Sequence, residues 1–464
     1  MTQDQKKTFI LFLFLLLLSF VIRVIRISQG LWYDEIHTFA RFVLLPWPKI
    51  FTTMIVPNNH ILYTFLAKLS ITIFGVKEWS LRLPALIAGG LTPPVCYLLF
   101  RRRAGDISAF LAGLFMAVSF WMVWFSQDAR GYSAVILFSV LSQVLYTEFI
   151  HNFNRRTAVY YIICSVIGCY FYFYNGFVIS AQIAFGFFLW ATARKERKAV
   201  IFTLPALALI LSAALYLPVM PDLAKFARAE GSDIAGRWLD LYFLKEVIKM
   251  LASTRSLVLG IPAFVIFLIG LVRLGKSWPE ICWLYILAAA LLIIFTRVMT
   301  FFIYPRFLAF EIPFYFLAGA EALGLVEDEV RKYVRRIPRY SIQAALAVII
   351  CFFLCFGLAK YYRLGKQGFK QAAEYIQRNY PGKTVLSFGL ANQELLYYDP
   401  YAVPWPGRTK LYPVDLMGNL VVASHPWSWA TYNREMILKF CNLEKTWPSA
   451  GYDENAVYLF NCPP

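Results

Sequence analysis

Three carboxylates carry the chemistry this sequence could do. Asp34 and Glu35 lie in Gly30-Leu31-Trp32-Tyr33-Asp34-Glu35-Ile36-His37, directly after the first apolar block, and Asp128 lies in Ser126-Gln127-Asp128-Ala129-Arg130-Gly131-Tyr132, after the third. Aromatic residues crowd each turn, which would limit water and raise the pKa of a carboxylate, the setting of a general base. A single acid at such a place is ordinarily an interfacial residue reaching for headgroups. Two acid-plus-aromatic turns that emerge on one face point instead to a shared site. Arg130, Arg297, Arg306, His60 and Lys68 fall on that side or at that interface, where cations are generally scarce, and phosphate is the ligand that best accounts for them.

Other polar groups near the same ends have two readings. Arg23 and Arg26 sit one turn apart near the end of the first block, suited to snorkelling or to a phosphate contact. The run Tyr170-Phe171-Tyr172-Phe173-Tyr174 reads as an interfacial aromatic belt or as a platform for a lipid tail or sugar. Glu311 and Glu321 fall inside an apolar block, where acids are functional candidates by default.

The elements that position these residues are membrane helices. The chain has 464 residues, 59% hydrophobic, 18% aromatic and only 16% charged, far from a soluble globular domain. Its apolar residues come in blocks of roughly 17 to 25, the length that crosses a ~30 Å hydrocarbon layer at ~1.5 Å per residue. The net charge of +18, from 45 basic and 27 acidic residues, sits in short runs between the blocks. No continuous basic face results, so nucleic acid is excluded as a partner and the lipid bilayer is the expected environment. The first block lacks a small-residue cleavage site after it and is read as a retained helix.

Eleven helices are expected, near 9–27, 83–100, 107–125, 133–150, 157–174, 177–192, 199–217, 257–272, 280–296, 307–325 and 341–360. Alternate connections carry Lys6 and Lys7, Arg101 to Arg103, Arg155 and Arg156, the run 194–198, Arg273 and Lys276, and the run 331–339. The positive-inside rule makes these cytoplasmic, together with the N-terminus. Residues 28–82, 126–132, 218–256, 296–306 and the tail from 361 then lie outside, which corresponds to a multi-pass protein of a bacterial or archaeal plasma membrane. Within 28–82, the stretches 46–55 and 60–74 read as segments lying in the interface plane.

The tail loses hydrophobicity. A helix is expected over 369–380, with Phe369, Ala372 and Ile376 on one face, and strands over 384–389 and 457–461, so that 361–464 forms a small extracytoplasmic α/β domain beside a membrane domain of 1–360. Cys441 and Cys462 fall in that tail, where an oxidising compartment would permit a disulfide, whereas the other six cysteines lie in apolar blocks. Cysteine and histidine spacing offers no metal motif.

At the acidic turns the chain resembles the GT-C glycosyltransferase superfamily, in the branch of dolichyl-phosphate-mannose protein mannosyltransferases and the bacterial lipid A aminoarabinose transferase. The resemblance runs through Leu31-Trp32-Tyr33-Asp34-Glu35, Asn58-Asn59-His60-Ile61-Leu62-Tyr63, Phe74-Gly75-Val76 with Ser80-Leu81-Arg82-Leu83-Pro84, Ser126-Gln127-Asp128-Ala129-Arg130 and Tyr304-Pro305-Arg306-Phe307-Leu308. It implies a polytopic α-helical GT-C fold and an inverting transfer from a polyprenyl-phosphate-linked sugar donor to an extracytoplasmic acceptor. Asp34 would be the base, Asp128 would shape the same site with Glu35 as a companion to Asp34, and Arg306 would contact phosphate. The family's His-Pro-Pro segment stands here as His60-Ile61-Leu62, without either proline. His60, Arg130, Tyr63, Lys68 and Arg297 complete the candidate donor-phosphate set.

Physical chemistry leads to the same reaction independently. No Gly-rich nucleotide-binding loop is present, and a site outside the cytoplasm must receive its sugar on a lipid. Phosphate leaves without a protonating acid, so one base plus cations suffices, unlike the paired carboxylates of glycoside hydrolysis. No obligatory cofactor is expected; a divalent cation among Asp34, Glu35, Asp128 and His60 is the open alternative. A lipid or solute transporter would place its binding groups near the midplane on broken helices. A non-catalytic scaffold would use only the C-terminal domain.

Overall fold

The computed structural model of the chain describes every residue except 56–57, 193–197, 231–240, 299–302, 335–337, 390, 393, 406–410, 425–430 and 451–455, and omits the side chains of 227–230 and 431–432. Of the basic runs named above, 194–197 and 335–337 lie outside the described residues. Among those described, nine helices are long and apolar enough to cross a membrane, and the bent pair Asp106–Val118 and Phe120–Ser126 makes a tenth span. The eleventh expected helix is the 17-residue Arg155–Phe171. It stops short of the expected end because Tyr172 turns to extended backbone, φ −163° and ψ 127°, and the chain leaves the helix there.

The chain divides into two compact units. The first comprises Met1–Ile25, Leu45–Ile73 and Leu81–Leu358 and holds the apolar helices. One part of its core packs Tyr146, Phe149, Tyr161, Ile179, Phe185 and Leu284 together. Polar atoms in that core find partners within the protein, as a lipid solvent requires. The Tyr161 hydroxyl donates to Gln182 Oε1 at 2.6 Å, and Gln182 Nε2 donates to Ser142 Oγ at 2.9 Å. Helices Leu257–Ser277 and Ile312–Tyr333 approach so closely that a Cβ on Gly270 would lie 1.7 Å from the Ala318 carbonyl oxygen, a small-residue contact of the kind that lets membrane helices pack.

Ion pairs tie together the helix ends that the charge pattern assigns to the cytoplasm. Asp106 pairs with Arg101 at 2.7 Å and with Lys7 at 3.3 Å; Arg102 pairs with Glu148 at 3.2 Å, and His151 with Glu280 at 3.0 Å. These loops are therefore one layer rather than scattered snorkelling charges.

The second unit comprises Arg26–Leu44, Phe74–Ser80 and Ala359–Pro464. The sequence assigns the whole of 28–82 to the membrane domain, but by contacts its two flanks belong with the C-terminal region. A five-stranded sheet forms the centre, in the order β2-β1-β3-β5-β4, with β1 at Val385–Gly389, β2 at Ala402–Pro404, β3 at Leu420–Ser424, β4 at Asn442–Trp447 and β5 at Val457–Asn461. β1 runs parallel to β2 and β3, while β5 is antiparallel to β3 and β4. The amphipathic helix Phe369–Asn379 buries Phe369, Ala372, Ala373 and Ile376. Leu386, Phe388, Val421, Ile437 and Phe460 form the apolar centre, and Cys441 is bonded to Cys462 at its margin.

Candidate active site

In the first unit the site begins with a broken helix. Ser119 adopts extended backbone, φ −69° and ψ 127°, between Asp106–Val118 and Phe120–Ser126, and the two halves bend by 62°. Ser119 Oγ accepts the Met122 amide at 3.3 Å and lies 2.7 Å from Ser253 Oγ, which accepts the Trp121 amide at 3.2 Å. The break leaves carbonyls at the end of the first half without helical donors. Fully buried Arg23 meets them: its guanidinium donates to the carbonyls of Met116 and Ala117 at 3.2 and 3.1 Å, to the Ser19 carbonyl at 3.1 Å and to Ser126 Oγ at 2.9 Å. A cation at a helix C-terminus also complements the macrodipole. Arg23 is thus neither a snorkelling residue nor a phosphate ligand. It does not share a helix face with Arg26 either, because the helix ends at Val24 and Arg26 takes a left-handed φ of 57°.

Gln127 extends the brace, with Nε2 donating to the carbonyls of Arg23 and Ile25 at 2.7 Å each. The turn that follows is held tightly: the Asp128 amide donates to the Phe125 carbonyl at 3.3 Å, and the Arg130 amide to the Asp128 carbonyl at 2.6 Å. Asp128 and Arg130 are both buried.

His60 stands against this turn. Its Nδ1 accepts the Gly131 amide at 3.1 Å, which leaves the ring proton on Nε2. The imidazole stacks on Tyr172, with centroids 4.1 Å apart and planes at 17°, and meets Tyr132 edge-on at 5.2 Å. Burial holds its pKa well below the ordinary 6.5, the charges of Arg130 and then Arg306 push the same way, and only the Phe171 carbonyl opposes them. His60 is therefore a neutral N–H donor near neutral pH. Its Nε2 is buried without a hydrogen-bond partner among the described residues, as is the Tyr132 hydroxyl.

Two guanidinium groups act on the imidazole electrostatically. Arg130 lies over the Tyr132 ring at 5.0 Å and donates to Asn58 Oδ1. Arg306 lies over Tyr304 at 4.4 Å. Phe307 bridges the aromatic wall, stacked on Tyr174 at 4.2 Å and edge-on to Tyr172 at 6.2 Å. The arrangement joins neutral and cationic donors over a rigid aromatic floor, which suits a phosphate or another oxyanion. Tyr172 and Tyr174 come from the run read as a membrane belt; the aromatic alternation was the available signal, but burial against His60 depends on residues far along the chain.

The other predicted cations have different surroundings. Lys68 donates to the Leu45 carbonyl at 2.5 Å and lies 5.3 Å over the Trp47 ring. Buried Tyr63 donates to the Leu81 carbonyl at 2.7 Å. Arg297 is exposed in the last turn of Pro279–Val298. Glu321 pairs with Arg273 at 2.9 Å, and Arg273 also holds Asp328 at 2.6 Å, so this intramembrane acid is accounted for by charge pairing. Glu311 precedes the helix Ile312–Tyr333, with Oε1 buried and without a partner among the described residues.

In the second unit, Asp34 and Glu35 are both buried on the six-residue helix Tyr33–Thr38. Glu35 Oε2 accepts the Trp32 amide at 3.2 Å, the reciprocal half of a capping box, and Oε1 lies 3.6 Å from Lys366 Nζ. Lys366 was not foreseen, since nothing in the local pattern around it separates it from other tail lysines. Among the described residues no three His, Cys, Asp or Glu side chains gather in a way that could hold a metal ion.

Comparison with known proteins bears on what this arrangement serves. Residues 57–220 match the family model described as dolichyl-phosphate-mannose-protein mannosyltransferase. Compared with curated proteins by sequence, the chain finds no match. Among solved structures it is similar to ArnT from Cupriavidus metallidurans in the apo state, at 13% identity and a TM-score of 0.56, over 99% of this chain and 98% of that one. It is also similar to the Archaeoglobus fulgidus oligosaccharyltransferase in complex with zinc and sulfate, at 13% identity and a TM-score of 0.56, over 98% of this chain and 73% of that one. The same Cupriavidus protein bound to undecaprenyl phosphate matches at 13% identity and a TM-score of 0.52, over 97% of each chain. At these identities the likeness is one of fold.

Proposed function

We propose that this chain, whose GT-C fold is similar to that of ArnT, is an inverting glycosyltransferase using a polyprenyl-phosphate-linked sugar. The acceptor, a lipid, glycan or protein, is met on the non-cytoplasmic side of a plasma membrane. The observation that carries this reading is the donor cluster of His60, Arg130 and Arg306, where a buried Nε2–H without a hydrogen-bond partner among the described residues lies within the electrostatic reach of two guanidinium charges. That combination is suited to the phosphate of a lipid-linked donor.

In the reaction, Asp34 takes the proton of the acceptor nucleophile as it attacks the anomeric carbon. The bond from that carbon to the phosphate oxygen breaks, and the polyprenyl phosphate leaves with its new charge on Arg130, Arg306 and His60. Arginine suits this because its planar fork meets two phosphate oxygens at once. Asp128, on the turn braced by Arg23 and Gln127, shapes the site. Glu35 acts as a structural companion to Asp34, as its capping bond and its pairing with Lys366 support.

The test uses purified protein, a panel of polyprenyl-phosphate sugars and the Asp34→Asn variant. Transfer by the wild type, with none by the variant at equal folded yield, is the expected result. Full activity in Asp34→Asn would remove the base, and inactivity of the wild type across the panel would remove the donor class.

A further inference from the structure

The second unit holds the Asp34 segment through contacts that the proposed reaction does not use. A helix of six residues is too short to persist alone, since isolated helices below ~12 residues are marginal in water. Tyr33–Thr38 is instead fastened from the region 361–398. The Leu31 amide donates to the Tyr398 hydroxyl at 2.7 Å, the Tyr33 amide donates to Gln367 Oε1 at 2.8 Å, and the Gln29 side chain donates to the Tyr361 hydroxyl. The Lys370 side chain packs closely on this backbone: a Cβ on Gly30 would lie 2.9 Å from Lys370 Cβ.

At the centre is a fully buried ion pair, Lys366 with Glu35, in which the ammonium also lies 5.7 Å over the Trp32 ring. Burying both charges is expensive, and replacing such a pair by apolar residues is often neutral or stabilising, so its retention calls for a role other than stability. Geometry supplies one. Neighbouring residues on a helix are separated by about 100° around its axis, so a fixed Glu35 sets the azimuth of Asp34.

We propose that Lys366 is a positioning residue for Asp34, acting through Glu35, and that the C-terminal region is therefore part of the machinery of the reaction. This rests on the reading of Asp34 as the base. The pair adds a clamp within the short helix itself to the hydrogen bonds that fasten its N-terminal flank, and a base displaced by about 1 Å loses about 100-fold in rate.

The experiment measures kcat and donor KM, per folded molecule, for Asp34→Asn, Lys366→Met, Glu35→Gln and the double variant of the last two in the full-length protein, with Lys445→Met as a control at an exposed lysine on β4. The expected result is an inactive Asp34→Asn, a loss of about 10- to 100-fold in kcat for Lys366→Met with donor KM unchanged, and a double variant no worse than either single one. A merely stabilising lysine would lower the folded yield and leave kcat alone. Wild-type kcat in Lys366→Met beside an inactive Asp34→Asn overturns the proposal and leaves the base standing; fully additive losses overturn it too. An active Asp34→Asn overturns both. If Lys366→Met does not fold, Tyr398→Phe, which removes the acceptor of the Leu31 amide, replaces it: reduced kcat at constant KM supports the clamp, and wild-type kcat overturns it.

Discussion

His60 lies flat on Tyr172, the ring centroids 4.1 Å apart, while the Gly131 amide occupies Nδ1 and so directs the ring proton to Nε2. Stacking fixes the plane of the imidazole and the amide fixes its tautomer. A neutral donor of set orientation is the outcome.

Removing that donor should weaken the hold on the donor phosphate in the ground state and the transition state alike. His60→Ala is expected to raise donor KM by about 10- to 100-fold, the value of one hydrogen bond to a charged group at about 1.5–3 kcal/mol. Steady-state kinetics at saturating acceptor check this. Arg306→Lys should also raise donor KM, because a point charge replaces a fork.

The depressed pKa of His60 has a stability signature. The unfolded chain binds a proton at this residue near 6.5 and the folded chain does not, so its contribution is present in full above about pH 6.5 and is lost as pH falls below it. The thermal midpoint in detergent should therefore drop between pH 7.5 and pH 5.5 more steeply for the wild type than for His60→Gln. Equal slopes would contradict a buried neutral imidazole.

Arg23 should matter for the architecture around Asp128. Arg23→Met leaves the Met116 and Ala117 carbonyls and the Ser126 hydroxyl without their buried donor. At about 1–3 kcal/mol for each buried group left unpaired, the variant is expected to lose several degrees of thermal midpoint, read by dye-free scanning fluorimetry. Restored stability in Arg23→Lys would show that charge alone suffices.

The Cys441–Cys462 bond spans 21 positions, and closing a loop of that size is worth about 3 kcal/mol. The Cys441→Ser and Cys462→Ser pair of substitutions should destabilise the C-terminal sheet by about that amount. Maleimide labelling in cells checks its compartment as well. These two thiols should react only after reduction, and a reporter active only in the cytoplasm should be silent after Pro464.

Most of the membrane architecture was legible beforehand, because crossing a bilayer is a requirement on a single segment: enough apolar residues in a row. Gln3–Val24, Tyr132–His151 and Pro279–Val298 fall close to their expected positions for that reason. The helix Phe369–Asn379 and the strands β1 and β5 were likewise visible through their own periodicity. Asp34, Asp128, His60 and Arg306 could be nominated because charge is rare at such places. Local pattern said nothing of what each polar group meets. Arg23 reaches Ser126 across 103 positions, Glu35 meets Lys366 at the other end of the chain, and Tyr172 leaves its expected helix to lie under His60. A buried polar group takes its role from the partner that satisfies it, and that partner is chosen by packing, which no window of neighbouring residues contains.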